Sequence, residues 1–249
     1  MGLDLTSVQA PTFHHLGTDA IHTTWDRSLL PRLTIQPGDT VVFEKREPSQ
    51  GGIARDVANG TVPGFLTETS PDLLALVISH ANRPPATGPG SGQMGHALTG
   101  PVEIAGAEPG DTLVIEILEV VSGDWGWTSL GPAHGSPLDG EVDARALRLW
   151  DLRAGDFTLF KSHIRIPIRP FCGVLGVAPE GAGQHSTSPP RAVGGNLDIR
   201  QLTAGSTLNF SVAVPGALFS VGDAHAAQGD GDVCGTAIEM DATVMLRLT

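Results

Sequence analysis

The chain has 249 residues and a formal net charge of −12, with 32 Gly, 19 Pro and only 17% charged residues. So much Gly and Pro interrupts long helices and favours short strands joined by turns, which excludes an all-helical bundle. The hydrophobic content of 40% supports a folded core, and the negative charge disfavours nucleic acid and anionic lipid as partners.

A repeated turn predicts the starts of two strands. Pro37-Gly38-Asp39-Thr40 and Pro109-Gly110-Asp111-Thr112 each precede an apolar, β-branched run. Pro fixes φ at the second turn position and Gly accepts positive φ at the third. Weaker copies at 154–156 and 204–206 also precede apolar residues, so the pattern indicates a mostly β protein. The irregular spacing excludes a solenoid or propeller.

The sequence predicts one clear helix, at residues 71–80, with Ser70 as N-cap and Asp72 in its first turn. Two stretches rich in Pro and Gly, 82–95 and 179–195, are expected to be loops over a site or an oligomer interface. The predicted strands, in chain order, are residues 40–45, 102–104, 112–121, 158–160, 164–168, 174–178, 207–214, 217–221, 236–239 and 242–248.

Localisation and redox state follow from a few absences in the sequence. Residues 1–13 lack a basic segment followed by an apolar run, and the longest apolar stretch, 73–78, is too short to span a membrane. We therefore expect a cytoplasmic protein without a membrane partner. Two cysteines, Cys172 and Cys234, are expected to be thiols rather than a disulfide framework.

The densest polar cluster directly follows the apolar run 217–221. It places Asp223, His225 and Gln228 among Gly and Ala residues, with Asp230 and Asp232 behind them. Side chains two apart on a strand point to the same side, so Asp223 and His225 can reach one divalent cation. Gln228 offers an amide to a substrate or a carbonyl to a cation. The alternative interpretation is an acidic surface loop, but buried carboxylates need partners, which favours a site.

Other polar residues lie near the ends of strands or beside paired glycines. A lone His beside a strand is usually structural, an Asp after Gly-Gly is often only a turn, and a Glu at a strand end is either solvated or an inward general base. No phosphate-binding loop or Gly-x-Ser-x-Gly elbow is present. The further candidates are His22, Glu44, His96, Asn196, Asp198 and Glu239.

One long motif runs from the end of a predicted strand into the polar cluster: Val214-Pro215-Gly216-Ala217-Leu218-Phe219-Ser220-Val221-Gly222-Asp223-Ala224-His225, continuing to Gly231. The supporting segments are 22–26, 99–102 with 106–111, 173–179, 194–198 and 234–239. In this order the motifs resemble the acetamidase/formamidase family, and the likeness covers nearly the whole chain.

The resemblance implies hydrolysis of a small aliphatic amide, such as formamide or acetamide, to a carboxylate and ammonia. It implies a cytoplasmic homo-oligomer, a dimer or larger, that holds a divalent metal, with zinc ahead of calcium. The implied fold is mostly β, a β-sandwich packed with a second β-barrel-like module and few short helices. We expect one compact unit whose two modules span about 1–121 and 122–249.

Amide hydrolysis by a metal-activated water needs metal ligands and proton-transfer groups, but no Ser or Cys nucleophile. We assign the metal to His22, Asp198, Asp223 and His225, catalytic proton transfer to Glu44, His96 and Glu239, and substrate binding to Gln228 and Asn196. Two alternatives stay open: an amidase that uses Cys172 as its nucleophile, and a β-sandwich protein that binds a small molecule without turnover. The amide itself is not fixed, because residues 122–150 and 179–195 depart from the family pattern.

Overall fold

The computed structural model describes residues 11–62, 69–84, 95–131, 140–142 and 144–249. Within them a short 3-10 turn covers Thr18–Ala20, and the remaining elements are numbered in chain order. The helices are α1 (Gly52–Asn59) and α2 (Pro71–Ser79). The strands are β1 (Phe13–Leu16), β2 (Ile21–His22), β3 (Leu33–Ile35), β4 (Thr40–Lys45), β5 (Leu98–Ile104), β6 (Thr112–Leu130), β7 (Ala146–Asp151), β8 (Phe157–Phe160), β9 (Ile164–Pro167), β10 (Phe171–Gly176), β11 (Gly194–Asn196), β12 (Thr207–Ser211), β13 (Phe219–His225) and β14 (Glu239–Leu248).

Twelve of these strands form one sheet, whose central order is β1-β4-β14-β13-β10-β11. Strand β5 joins it through β13 and also pairs with β2 and β3, while β6 pairs with β14, β12 and β7. The hairpin β8-β9 stands apart as a second sheet. The predicted mostly β fold with few short helices is confirmed, and among the described residues the sheets do not close into a barrel.

The two Pro-Gly-Asp-Thr turns have the predicted conformation. Gly38 and Gly110 take φ of 93° and 100°, the left-handed region that glycine enters at little cost. Asp39 and Asp111 each accept a hydrogen bond from the backbone N–H three residues earlier, at 3.0 and 2.9 Å. Strands β4 and β6 then begin at the next residue, as the sequence predicts.

Strand β6 is longer than predicted, at 19 residues instead of ten. Its second half contains Gly123 and Gly126, which weaken a strand signal in the sequence. A Cβ on Gly123 or Gly126 would lie 2.8 or 2.7 Å from a backbone carbonyl oxygen of β14, so both glycines permit a close approach of the paired strands β6 and β14. The predicted module boundary near residue 121 falls inside this strand, and the division into two modules stays a prediction.

The other predicted elements agree with the structure to different degrees. Helix α2 lies where predicted, and the Ser70 hydroxyl accepts from Leu73 N at 3.2 Å. The predicted strand 217–221 is shifted to β13, while 236–238 lie outside any strand and Glu239 begins β14. Residues 85–94 of the first predicted loop lie outside the described residues. The sequence analysis missed α1 and the strands β1, β2, β3, β7 and β11.

The main core is built mostly from buried side chains of the twelve-stranded sheet, and a smaller core lies under the helices. Helices α1 and α2 pack their buried residues on Trp125, Trp127, Leu147 and Leu149. The largest fully buried side chains of the main core include Ile35, Phe43, Ile115, Phe219, Leu246 and Leu248.

Both cysteines are free thiols, as predicted: Cys172 is buried and Cys234 is exposed. None of the described helices has the length and apolar character needed to cross a bilayer.

Candidate functional site

Neighbouring strands bring the acidic and histidine side chains together at one end of the sheet. Strand β13 carries Asp223 and His225, and Glu239 at the start of β14 lies directly opposite His225. Asp198 follows β11 and approaches from the far side of β10. One ligand atom each from Asp198, Asp223 and His225 lies within 4.8 Å of the others, so the prediction that Asp223 and His225 share one side is confirmed.

The imidazole of His225 lies at the centre of this cluster. Its Nε2 is 3.3 Å from Asp223 Oδ2 and 3.1 Å from Glu239 Oε2, without the alignment of a hydrogen bond. Its Nδ1 is 3.8 Å from Asp198 Oδ1. The side chains of Asp223, His225 and Glu239 are at most 4% exposed, whereas that of Asp198 is 22% exposed. The cluster is therefore buried, with Asp198 on its solvent side.

The hydrogen bonds of Gln228 determine which nitrogen of His225 carries the proton. The Gln228 amide nitrogen donates to the Asp198 carbonyl at 2.9 Å, which turns its Oε1 toward His225 Nδ1, also at 2.9 Å. Nδ1 must then be the donor, and in a neutral ring Nε2 keeps its lone pair. That lone pair faces two carboxylates, an arrangement that a cation between them would stabilise.

Gly173 on β10 leaves the space that the cluster surrounds. A Cβ at this position would lie 2.6 Å from Asp198 Oδ1, 2.8 Å from Asp223 Oδ2 and 2.9 Å from His225 Cε1. Real Cβ atoms do not approach other heavy atoms so closely, so any larger residue would occupy the cradle. The three side chains thus face a volume that exists because residue 173 is glycine.

Burial and mutual repulsion perturb the ionisation of this cluster. Burial, with Asp223 nearby, raises the pKa of Asp198 to about 6 and that of Glu239 to about 7. Burial also opposes charge on His225, but the carboxylates of Asp223 and Glu239 raise its pKa well above the usual value. For Asp223, burial acts to raise the pKa, but the adjacent His225 has the opposite effect, and the pKa lies below its ordinary value. The buried carboxyl groups therefore oppose one another's negative charge, and a positive charge among them is stabilised.

Several polar atoms of the site have no hydrogen-bond partner among the described residues. They are Asp198 Oδ1, Asp223 Oδ1, His225 Nε2 and Glu239 Oε2. Buried polar atoms are normally paired, so four orphaned ones in a single cluster point to a missing ligand. The backbones of Asp198 and Asp223 also have positive φ, 48° and 55°, which costs energy for a residue with a side chain.

His96 approaches the cluster from just before β5. Its Nε2 lies 3.8 Å from Asp223 Oδ2, and its side chain is 24% exposed. Its other ring nitrogen is buried without a hydrogen-bond partner in the described part of the chain. Of the residues that the sequence predicts for catalysis, the structure brings His96 and Glu239 to the cluster.

Two other predicted residues, Glu44 and His22, have positions that do not match their predicted roles. Glu44 points outward, with its half-exposed carboxylate 3.0 Å from His15, so its position does not support a catalytic role. His22 is buried, but its nitrogens engage the Thr24 carbonyl at 2.8 Å and the Ser220 hydroxyl at 2.9 Å. Both nitrogens are thus used, and its position does not support metal ligation.

Asn196 lies two residues before Asp198, on β11. Its side-chain oxygen is buried and lacks a hydrogen-bond partner among the described residues. Gly173 was missed as a site residue, although it opens the segment 173–179 that carries the family resemblance. Only the folded structure shows that this glycine faces the carboxylates.

The sequence model of the acetamidase/formamidase family matches residues 92–182 and 180–249, which together are more than half of the chain. The chain belongs to the acetamidase/formamidase family. Every residue of the cluster lies within the matched segments, so the buried acidic site is part of the portion shared with the family.

The relatives that this chain matches are longer than the chain. The formamidase of Methylophilus methylotrophus is 28% identical over 88% of this chain and 61% of the relative. The acetamidase of Mycolicibacterium smegmatis is 27% identical over 61% of this chain and 53% of the relative. The crystal structure of an acetamidase from Bacillus halodurans superimposes with a TM-score of 0.73 at 28% identity, covering 94% of this chain and 70% of that one. The chain thus spans between half and three fifths of these curated relatives.

Proposed function

We propose that the chain hydrolyses a short aliphatic amide of the formamide or acetamide type to a carboxylate and ammonia. The observation that carries this proposal is the buried cluster of Asp198, Asp223 and His225 around the space over Gly173. Membership of the family supports the reaction class, since the relatives include a formamidase and an acetamidase.

The donor set fits a divalent cation. Two carboxylates and one imidazole with a free lone pair are ligands that zinc favours, whereas calcium prefers six to eight oxygen atoms. We therefore place zinc ahead of calcium, with Asp198, Asp223 and His225 as the residues that would hold it. When bound, such a cation supplies an acidified water and polarises the amide carbonyl. Gln228 supports the site by orienting His225.

Glu239 and His96 are placed to move the protons of the reaction. Ala237 N donates to Glu239 Oε1 at 3.0 Å, which fixes the carboxylate and leaves Oε2 aimed at the cluster. Glu239 then accepts a proton from a water molecule while the oxygen of that water bonds to the amide carbon. His96, on the solvent side, gives a proton to the nitrogen as the C–N bond breaks. The buried acceptor Asn196 Oδ1 suits an amide N–H of the substrate.

The environment of Cys172 does not support the alternative of a cysteine nucleophile. Its side chain is buried in the main core, on the strand β10 that carries Gly173. Burial raises the pKa of its thiol to about 11, so little thiolate is present at neutral pH.

A homo-oligomer, a dimer or larger, remains part of the proposal, and sedimentation of the purified protein tests it.

Metal analysis combined with ammonia release tests the proposal. Purified protein should hold a divalent metal and release ammonia from formamide, acetamide or propionamide, and a chelator should abolish the release. His225→Ala should lose both metal and activity, while His163→Ala, which changes an exposed histidine, should keep both. Full activity of the chelated protein would overturn the metal role. If no amide is turned over while one raises the melting temperature, the protein is a binding module.

A further inference from the structure

The loop 179–195 is tied to the N-terminal segment by backbone hydrogen bonds. Trp25 and His185 exchange two of them, each 2.9 Å long, and the Thr24 hydroxyl donates to the His185 carbonyl at 3.1 Å. Trp25 is itself buried against Leu98 and Val174, next to the site strands. The Thr-Thr-Trp sequence after His22 therefore anchors a loop.

Two residues after this anchor, Thr187 holds the backbone of His96. Thr187 is fully buried, and its Oγ1 accepts a hydrogen bond from His96 N at 2.6 Å. A Cβ on Gly95 would lie 2.1 Å from the same oxygen, so the loop and the Gly95-His96 backbone are in tight contact. Only glycine at position 95, where φ is 139°, permits this contact.

The imidazole of His96 has no comparable anchor of its own in the described part of the chain. Its Nδ1 has no hydrogen-bond partner there, and its Nε2 is 3.8 Å from Asp223 Oδ2. The place of the ring at the edge of the cluster thus depends on where the backbone of residue 96 is held. That backbone is held by Thr187, and Thr187 by the loop that Trp25 anchors.

We propose that Thr187 is a positioning residue for His96, braced by Thr24 and Trp25 through the loop 179–195. The inference rests on the proposed function, in which His96 protonates the leaving nitrogen. A displacement of about 1 Å in a proton donor is enough to slow catalysis about 100-fold. The hydroxyl of Thr187 therefore acts on the reaction without touching substrate.

Matched substitutions at position 187 separate this role from simple packing. Thr187→Val keeps the shape and removes the acceptor, and we expect kcat to fall about 10- to 100-fold with KM and metal content little changed. Thr187→Ser keeps the hydroxyl and should retain activity within about threefold of the wild type. In a His96→Ala background, Thr187→Val should cause no further loss, because the two residues act as one unit. Independent, multiplying losses would overturn the inference.

Hydrogen exchange at the His96 amide gives a readout that does not need activity. This amide should be protected in the wild type and in Thr187→Ser, and should exchange faster in Thr187→Val. Unchanged protection would overturn the inference even if no amide is hydrolysed. An inactive wild type would instead contradict the proposed function alone. If Thr187→Val does not fold, Thr24→Val, which removes the bond to His185, should show the same effects more weakly, and unchanged kcat and exchange in that variant would overturn the brace.

Discussion

Gly173 shows how an absent side chain can define a site. Its strand φ is compatible with alanine, but the added Cβ would fall among Asp198, Asp223 and His225. We expect Gly173→Ala to weaken divalent metal binding about 10- to 100-fold while the protein stays folded, as measured by metal content after dialysis and by circular dichroism. Gly229→Ala is the control, because a Cβ there meets nothing within 4 Å. A Gly173→Ala protein with a full complement of metal would contradict this account of the cradle.

Lys45 presents a different problem at the residue scale, because its amine is buried in the main core. Its Nζ has no hydrogen-bond partner among the described residues and lies 5.3 Å from the centre of the Phe43 ring. Burial lowers the pKa of Lys45 to about 7, while the facing Cys172 opposes that shift. The buried His22 also faces this amine, and burial lowers the pKa of His22 to about 4.

The sign of the resulting pH dependence follows from the two states of Lys45. Between pH 7 and 10.5 the unfolded chain binds the lysine proton and the folded chain does not, so the free energy of unfolding rises with pH across this window. We expect Lys45→Met to stabilise the protein at pH 7 by about 2–4 kcal/mol and to lose that advantage toward pH 10. Urea unfolding at both pH values measures the difference. An equal effect at both, or the same pattern in exposed Lys161→Met, would refute it.

At the scale of elements, α1 shows why one helix escaped prediction. It has no side-chain N-cap, and Gly51 before it is left-handed with φ of 82°. Its entry is organised by buried Glu47, whose carboxylate accepts from the backbone N–H groups of Ser49, at 2.7 Å, and Gly51. The same carboxylate accepts from Trp127 Nε1 at 2.9 Å, a contact 80 residues away that local sequence does not reveal.

Because the Glu47 carboxylate serves three donors, an amide cannot replace it. In Glu47→Gln an amide N–H₂ group faces at least one of these three donors, and that donor loses its hydrogen-bond acceptor. We expect the free energy of unfolding to fall by about 1–3 kcal/mol, measured by urea denaturation with tryptophan fluorescence. The exposed Glu119→Gln should change it by less than about 0.5 kcal/mol. Equal stabilities of the two variants would show that Glu47 does not organise this entry.

The sequence predicted those features whose conformation depends on residues close to them in the chain. The Pro-Gly-Asp-Thr turns, β4 and the N-cap of α2 depend on residues within a few positions, and all three were found as predicted. Asp223 and His225 were likewise found together, because strand periodicity is local. The position of His22 does not support its predicted metal role, since its Nε2 contacts Ser220, 198 residues away. Gly173 was missed because its neighbours come from β13 and the segment after β11.

For the whole molecule, the cluster joins strands that lie side by side in the large sheet. Its residues come from β13, β14 and the end of β11, and they surround β10. A cation bound there stabilises only the folded chain, by about 2.7 kcal/mol when its concentration is a hundred times Kd. We expect a chelator to lower Tm by about 5–10 °C in the wild type and to leave Tm unchanged in His225→Ala, measured by calorimetry. An equal Tm decrease in both proteins would place the stabilising ion elsewhere.

The order of the strands along the chain has a consequence for folding. The proposed metal residues Asp223 and His225 lie on β13, which pairs with β14, the strand that follows every other described strand in sequence. Strand β14 pairs with β4, β6 and β13, so its docking requires contacts that are distant in sequence and slow to form. During refolding, uptake of the metal by the protein, followed with a metal-sensitive dye, should therefore lag behind hydrophobic collapse. The site would then report when β14 has docked.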